Sequence, residues 1–115
     1  MRWVFAIIIA LHGLIHFMGP AKAFGLADLP QLTRPLSRGM GLAWLLAGLL
    51  TLAAVAALFA WPRCWWVIGA AAAVLSQAVI FTSWTDARAG TLANLILLAG
   101  VACGVLTGWP GRSPS

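Results

Sequence analysis

Charged residues are what this sequence has least of. Of its 115 residues, 7 are basic and 2 are acidic, whereas 63% are hydrophobic, and the mean hydropathy is +0.99. Soluble domains carry about 25% charged residues, so the composition excludes an ordinary soluble protein and indicates an integral membrane protein of one compact domain. Each ionisable group in such a chain is informative, because a charge at membrane depth is costly.

The sequence also lacks a basic patch and a paired-cysteine motif. Its 7 basic residues are scattered singly, which argues against a nucleic-acid partner and favours contacts with lipid headgroups. Cys64 and Cys103 lie far apart and form no C-x-x-C pair. We therefore interpret them as small apolar residues of membrane segments, and they do not identify a redox compartment.

Four long apolar segments are present. They cover about residues 3–19, 39–60, 65–83 and 91–108, and each is close to the ~20 residues that a helix needs to cross ~30 Å of hydrocarbon. A long connection, 20–38, follows the first segment, and prolines lie between the segments or after them. We therefore predict an all-α integral membrane bundle of four helices in up-down-up-down order.

This order places the N- and C-termini at the same membrane face, which we call side A. The opposite face is called side B. Tryptophans are expected at both interfaces, with Trp44 and Trp84 towards side B. Those expected at side A are Trp3, Trp61, Trp65, Trp66 and Trp109. As an alternative, residues 1–23 are a signal peptide, because Ala21-Lys22-Ala23 has the small-x-small form of a cleavage site.

The basic residues do not set an orientation. Side A carries Arg2, Arg63 and Arg112, and side B carries Lys22, Arg34, Arg38 and Arg88. This near balance does not decide orientation by the positive-inside rule, and it permits insertion in both directions as an antiparallel dimer. A dual-topology channel or carrier is therefore one of the alternatives for function.

The few polar residues of the segments converge towards side B. His12 and His16 are four residues apart and share a helix face. Counting helix rise from the segment ends places Gln77 at the depth of His12 and Asn94 at the depth of His16. Ser83 and Asp86 lie at the side-B mouth. We therefore predict a polar pocket opening towards side B, lined by these six residues.

Four interpretations of the histidine pair stay open. The first is a hydrogen-bonded network that holds the helices together. The second is a metal site of His12 and His16 with a third ligand such as Asp86. The third is a haem held by one histidine, or by one histidine from each protomer of a dimer, since neighbours on one face cannot bind opposite sides of one iron. The fourth is recognition of a ligand, or proton relay.

Other motifs point to helix packing and exclude two functions. Gly100, Gly104 and Gly108 form a tandem small-xxx-small run that favours close helix packing in lipid, inward or against a second copy. Position 13 is glycine, so the H-E-x-x-H motif of a zinc protease is absent. Small multidrug antiporters resemble this chain in size, but the first segment lacks their buried glutamate.

Several motifs resemble those of a family of uncharacterised small four-span bacterial inner-membrane proteins, some joined to a soluble domain of unknown function. In the first half the resemblance lies in Leu11-His-Gly-Leu-Ile-His16, Lys22-Ala-Phe24-Gly25, Leu29-Pro-Gln-Leu-Thr33 and Pro35-Leu-Ser37. In the second half it lies in Leu75-Ser-Gln77 and in residues 83–94. The resemblance implies a bundle in the bacterial inner membrane and implies no reaction.

These observations predict a non-enzymatic membrane protein. It would bind a small molecule or a lipid headgroup in the side-B pocket, or act as an accessory subunit. A metal- or haem-binding redox protein is the main alternative, although we expect no cofactor. The expected partners are the lipid bilayer and a second copy or a larger membrane complex.

Overall fold

The computed structural model describes residues 2–25, 37–82, 84 and 88–110. All regular structure in these residues is helical: α1 is Arg2–Ile15, α2 is Met18–Ala23, α3 is Arg38–Ala60, α4 is Trp65–Thr82 and α5 is Gly90–Thr107. Four stretches are long and apolar enough to cross a membrane, with α1 and α2 together forming the first, Arg2–Ala23. The predicted all-α membrane bundle is confirmed.

The first helical span, Arg2–Ala23, runs past the end of the predicted segment of about 3–19. The helix breaks at His16–Phe17, resumes as α2 and continues through Pro20 to Ala23. Proline offers no N–H to the carbonyl four residues earlier, and its ring crowds that carbonyl. The His16 carbonyl accepts instead from the Gly19 N–H at 3.2 Å. Pro20 itself lies in the first turn of α2, where an N–H would have no partner within the helix.

The other helices begin and end within one residue of the predicted 39–60, 65–83 and 91–108, as far as the described residues reach. The Ser37 side chain caps α3 by accepting from the Met40 N–H at 3.0 Å. Gly108 ends α5 in the left-handed conformation with φ of 75°, which glycine adopts without steric cost. Gly108 therefore serves as a helix terminator.

The helices form a closed ring. α3 packs against α1, α2 and α4, while α5 packs against α4 and α1. Arg38, Thr82 and Gly90 lie at one end of the ring together with the end of α2, and this end is the side-B end. The larger hydrophobic cluster, around Leu58 and Trp65, fills the half towards side A.

The glycines of α5 receive aromatic side chains from the same chain. A Cβ on Gly100 would lie 2.5 Å from the Phe5 ring, and a Cβ on Gly104 would lie 3.1 Å from Trp65 Nε1. Gly100 and Gly104 are both buried. Their face of α5 is therefore directed inward and is filled by Phe5 and Trp65.

A second seam of close contact joins α2 to α3. A Cβ on Gly19 would lie 2.4 Å from Trp44 Cβ, and a Cβ on Gly41 would lie 2.3 Å from the Ala23 Cβ. Only residues without a side chain allow backbones this near to a neighbour. These two glycines therefore set the position of α2 over the side-B part of α3.

The expected tryptophan belts differ from the structure at two positions. Trp3 and Trp61 are each 67% exposed and Trp84 is 44% exposed, as interfacial residues should be. Trp44 and Trp65, in contrast, are 3% and 1% exposed. The small residues opposite them admit an indole into the bundle, so these two side chains belong to the core.

Candidate functional site

Six polar side chains meet in the side-B half of the bundle. They come from α1 and the α1–α2 break, from α4 and from α5, and they are joined by hydrogen bonds. We call them the polar network: His12, His16, Ser76, Gln77, Thr91 and Asn94. His12, His16, Ser76 and Asn94 are at most 5% exposed. The network therefore links three elements of the bundle through groups removed from solvent.

The α1–α2 break positions His16 for two hydrogen bonds. Its Nδ1 lies 2.8 Å from the backbone carbonyl oxygen of His12, and its Nε2 lies 2.7 Å from Ser76 Oγ. The His12 carbonyl also receives the His16 backbone N–H, at a longer 3.3 Å. The ring thus bonds back onto the last turn of α1 and is held against α4.

His12 joins the first span to α5. Its Nε2 lies 2.9 Å from Asn94 Oδ1 and 3.1 Å from Ser76 Oγ. The rings of His12 and His16 are nearly perpendicular, at 88°, with centroids 4.5 Å apart. Ser76 therefore lies between the two imidazoles and contacts both.

The hydrogen-bond partners fix the tautomer of each histidine when both rings are neutral. A backbone carbonyl only accepts, so His16 carries its proton on Nδ1, and its Nε2 accepts from the Ser76 hydroxyl. The Asn94 amide oxygen also only accepts, so His12 carries its proton on Nε2. The two histidines are therefore opposite tautomers.

The outer part of the network runs from Asn94 towards the surface. The Asn94 amide donates to Gln77 Oε1 at 2.8 Å, and the Gln77 amide donates to Thr91 Oγ1 at 3.0 Å. Gln77 and Thr91 are half-buried, whereas Asn94 is 2% exposed. The network thus has a sealed end at His16 and a partly open end at Thr91, in the first turn of α5.

The structure brings together four of the six predicted pocket residues. Their hydrogen-bond partners are not the residues that were placed at the same depth from the sequence. His12 bonds to Asn94 and not to Gln77, and His16 bonds to Ser76. The other two predicted residues, Ser83 and Asp86, lie outside the described residues.

Sequence reasoning left Ser76 and Thr91 out of the site. A signal for each was present: Ser76 precedes Gln77, and Thr91 is three residues before Asn94 on the same helix face.

Trp44 was also missed as a site neighbour. Its ring centroid lies 5.6 Å from that of His16. Its Nε1 is the one buried side-chain nitrogen or oxygen without a hydrogen-bond partner in the part of the chain that the structure describes. Such a donor costs about 1–3 kcal/mol in apolar surroundings. Trp44 therefore packs over the sealed end of the network without joining it.

The rest of the described interior is apolar. Apart from the polar network, the buried polar residue among residues 2–25, 37–82, 84 and 88–110 is Thr51. Its hydroxyl donates to the carbonyl of Ala47, one turn earlier in α3, so Thr51 satisfies itself within its own helix. In the described residues the side-chain hydrogen bonds between helices in the buried core are thus concentrated at the side-B end.

The described residues contain no group of three His, Cys, Asp or Glu side chains that could hold a metal ion. The third ligand considered for such a site, Asp86, is outside these residues. Both nitrogens of His16 are engaged, by Ser76 and by a backbone carbonyl. With neutral rings the histidine pair therefore offers a metal only the lone pair of His12 Nδ1.

Comparisons with known proteins add no identity: no family model matches the chain, and neither the curated proteins nor the solved structures yield a match. The class of protein defined by the fold is a multi-pass helical membrane bundle.

Proposed function

We propose that this protein is a non-enzymatic binding module of the membrane, which holds the polar group of a small molecule or lipid headgroup at the side-B end. One observation carries the proposal: a single hydrogen-bonded network from three elements runs from buried His16 to half-buried Gln77 and Thr91. Polar groups inside a membrane bundle are costly and usually mark a functional site.

The network has hydrogen-bonding capacity beyond its internal bonds. Thr91 Oγ1 accepts from Gln77, so its own hydroxyl proton can be donated to a further acceptor. Asn94 and Gln77 each donate one of the two N–H groups of their amides within the network. A polar ligand at the partly open end would meet groups that are already oriented, which lowers the entropic cost of binding.

Packing alone explains the network less well. Hydrogen bonds between membrane helices contribute about 0.6 kcal/mol on average, which is small beside the cost of placing two imidazoles and two amides in the membrane. The glycine seams at Gly19, Gly41 and Gly100 already bring the helices into close contact. The polar side chains are therefore better explained by a ligand.

The setting of the module follows the sequence motifs. We place it in the bacterial inner membrane, as a member of the small four-span family that the sequence resembles. A second copy or a larger membrane complex is the proposed protein partner. Since Gly100 and Gly104 are filled from within the chain, such a partner would contact another face of the bundle.

Native mass spectrometry of the purified protein tests the proposal. Wild type should retain a lipid or small molecule through mild detergent, and His12→Ala and His16→Ala should lose it. Thr51→Val is the matched control, because it removes a buried polar group that bonds only to its own helix.

Circular dichroism and size-exclusion chromatography of the same samples establish that each variant is folded. The proposal is contradicted if the folded histidine variants carry the same bound mass as wild type and Thr51→Val, or if none of the four proteins retains a bound molecule.

A further inference from the structure

We infer that the ligand presents a hydrogen-bond donor, an N–H or O–H group, to Nδ1 of His12. This inference rests on the proposed function and names the chemistry that the site selects. It follows from the direction of the hydrogen bonds around His12 and from the position of the ring at the side-B end.

The orientation of the two amides, those of Gln77 and Asn94, sets the direction of the chain. Gln77 donates to Thr91 through its amide nitrogen, so its amide oxygen faces Asn94 and accepts. Asn94 therefore turns its amide nitrogen to Gln77 and its oxygen to His12. An amide oxygen cannot donate, so the proton of a neutral His12 ring lies on Nε2. Nδ1 is then an acceptor with a lone pair.

That lone pair is unused within the described part of the chain. Both side-chain hydrogen bonds of His12 in those residues are made by Nε2. Among the described residues, Trp44 Nε1 is the only side-chain nitrogen or oxygen that is both fully buried and without a hydrogen-bond partner. His12 Nδ1 is therefore not an atom of that kind. Among the described residues, the acceptor is therefore not satisfied by a neighbour.

The His12 ring lies near the start of α5. Its Cε1 atom, which joins the two ring nitrogens, would be 3.4 Å from a Cβ on Gly90, and Ile80 Cδ1 would be 2.9 Å from the same Cβ. Gly90 is the first residue of α5, at the side-B end. The ring therefore lies beside the end of the bundle at which the network is partly open.

An acceptor at this position distinguishes between ligand classes. An amine or hydroxyl can donate to Nδ1, whereas a carboxylate, a phosphate or a quaternary ammonium has no proton to donate. A buried acceptor left without a donor costs about 1–3 kcal/mol. The inferred class is therefore a primary amine or hydroxyl compound, and such a group exists both on lipid headgroups and on free small molecules.

Ring nitrogen NMR with ¹⁵N-labelled histidine tests the inference, because the chain has only two histidines. The protein is placed in phosphatidylcholine nanodiscs, whose headgroup has no N–H or O–H donor. Phosphatidylethanolamine is then added to the discs in one arm, free ethanolamine to the buffer in a second, and free choline in a third. We expect an upfield shift of the His12 Nδ1 signal with a donor and none with choline.

The first two arms separate the sources: a shift only with the lipid identifies a headgroup, and a shift with ethanolamine identifies a free amine. Thr51→Val is the matched control, because its hydroxyl bonds only within α3, and it should show the same shifts as wild type.

Two results would overturn the inference while leaving a binding site in place. One is an equal shift with choline, and the other is no shift with either donor although wild type retains a bound molecule. No shift in any arm, with no bound mass on wild type, would instead overturn the proposed function itself.

Discussion

Ser76 contributes the smallest side chain of the polar network, yet it joins the two histidines. Its hydroxyl donates to His16 Nε2 at 2.7 Å and lies 3.1 Å from the N–H of His12. It is fully buried, so no water can replace it without rearrangement. The opposite tautomers of the two rings depend on this single hydroxyl and on the carbonyl of His12.

Ser76→Ala should destabilise the bundle by about 1–3 kcal/mol, because it leaves His16 Nε2 buried without a donor. The measurement is the free energy of unfolding in mixed micelles. Thr51→Val is the control, since the Thr51 hydroxyl bonds only within α3. Equal stability of Ser76→Ala and wild type would show that His16 does not depend on Ser76.

Gly19→Ala should destabilise the protein although alanine favours helix. The added Cβ would lie 2.4 Å from Trp44 Cβ, an atom next to the backbone that cannot swing aside, and such overpacking costs about 1–3 kcal/mol. Gly39→Ala is the matched control, because nothing lies within 4 Å of its Cβ. We expect the melting temperature to fall for the first variant only, and a fall of equal size in both would contradict the close α2–α3 contact.

At the scale of elements, the break between α1 and α2 is the feature that creates the site. In a continuous helix, the direction of the His16 side chain would be fixed by the regular geometry of α1. The break at His16–Phe17 instead follows from Pro20, four residues later, whose ring and missing N–H act on the His16 carbonyl. Pro20, in the first turn of α2, thus determines the position of His16 in the preceding turn.

Pro20→Ala should remove the break. The restored N–H of residue 20 would bond to the His16 carbonyl, and the His16 ring would move away from Ser76. Hydrogen exchange of the residue 20 amide should be slow, and the molecule retained by wild type should be lost. Pro62→Ala, in the α3–α4 connection, is the control. Fast exchange at residue 20, with the bound molecule still retained, would contradict this role of Pro20.

The four spans could be predicted from the sequence because hydrocarbon length and composition are enough to define them. The break in the first span also had a signal, since the effect of a proline on the carbonyl four residues earlier is general. The pairing of His12 with Asn94, and the burial of Trp44 and Trp65, could not be predicted in this way. Lipid is as apolar as the core, so hydrophobic periodicity does not show which face of a helix is buried.

Depth estimates also have a limit set by geometry. They resolve position to about one helical turn of 5.4 Å, whereas a hydrogen bond requires about 3 Å. This is why His12 and Asn94 were placed at different depths although they are bonded at 2.9 Å.

At the scale of the whole molecule, the protein is polar at one end of its interior and apolar in the rest of what the structure describes. Its charged residues are few, and the buried polar side chains of the described residues, apart from Thr51 and the indoles of Trp44 and Trp65, belong to one network. An interior of this kind favours a site entered from one membrane face over a path that crosses the membrane.

The histidine pair should not hold a transition-metal ion in stoichiometric amount. His16 has both nitrogens engaged, which leaves one free lone pair, on His12, and transition-metal sites in proteins draw on several ligands. Purified protein without a visible haem band should be low in metal by elemental analysis. Near-stoichiometric metal that is lost in His12→Ala would contradict this and favour the redox alternative.

One directed hydrogen-bond chain holds the two histidines as opposite tautomers. The decisive measurement is the ring ¹⁵N spectrum of histidine-labelled protein at alkaline pH, with His16→Gln used for assignment. We expect His12 to be protonated on Nε2 and His16 on Nδ1. If His12 instead carries its proton on Nδ1, the chain runs in the opposite direction, and the acceptor inferred for the ligand does not exist.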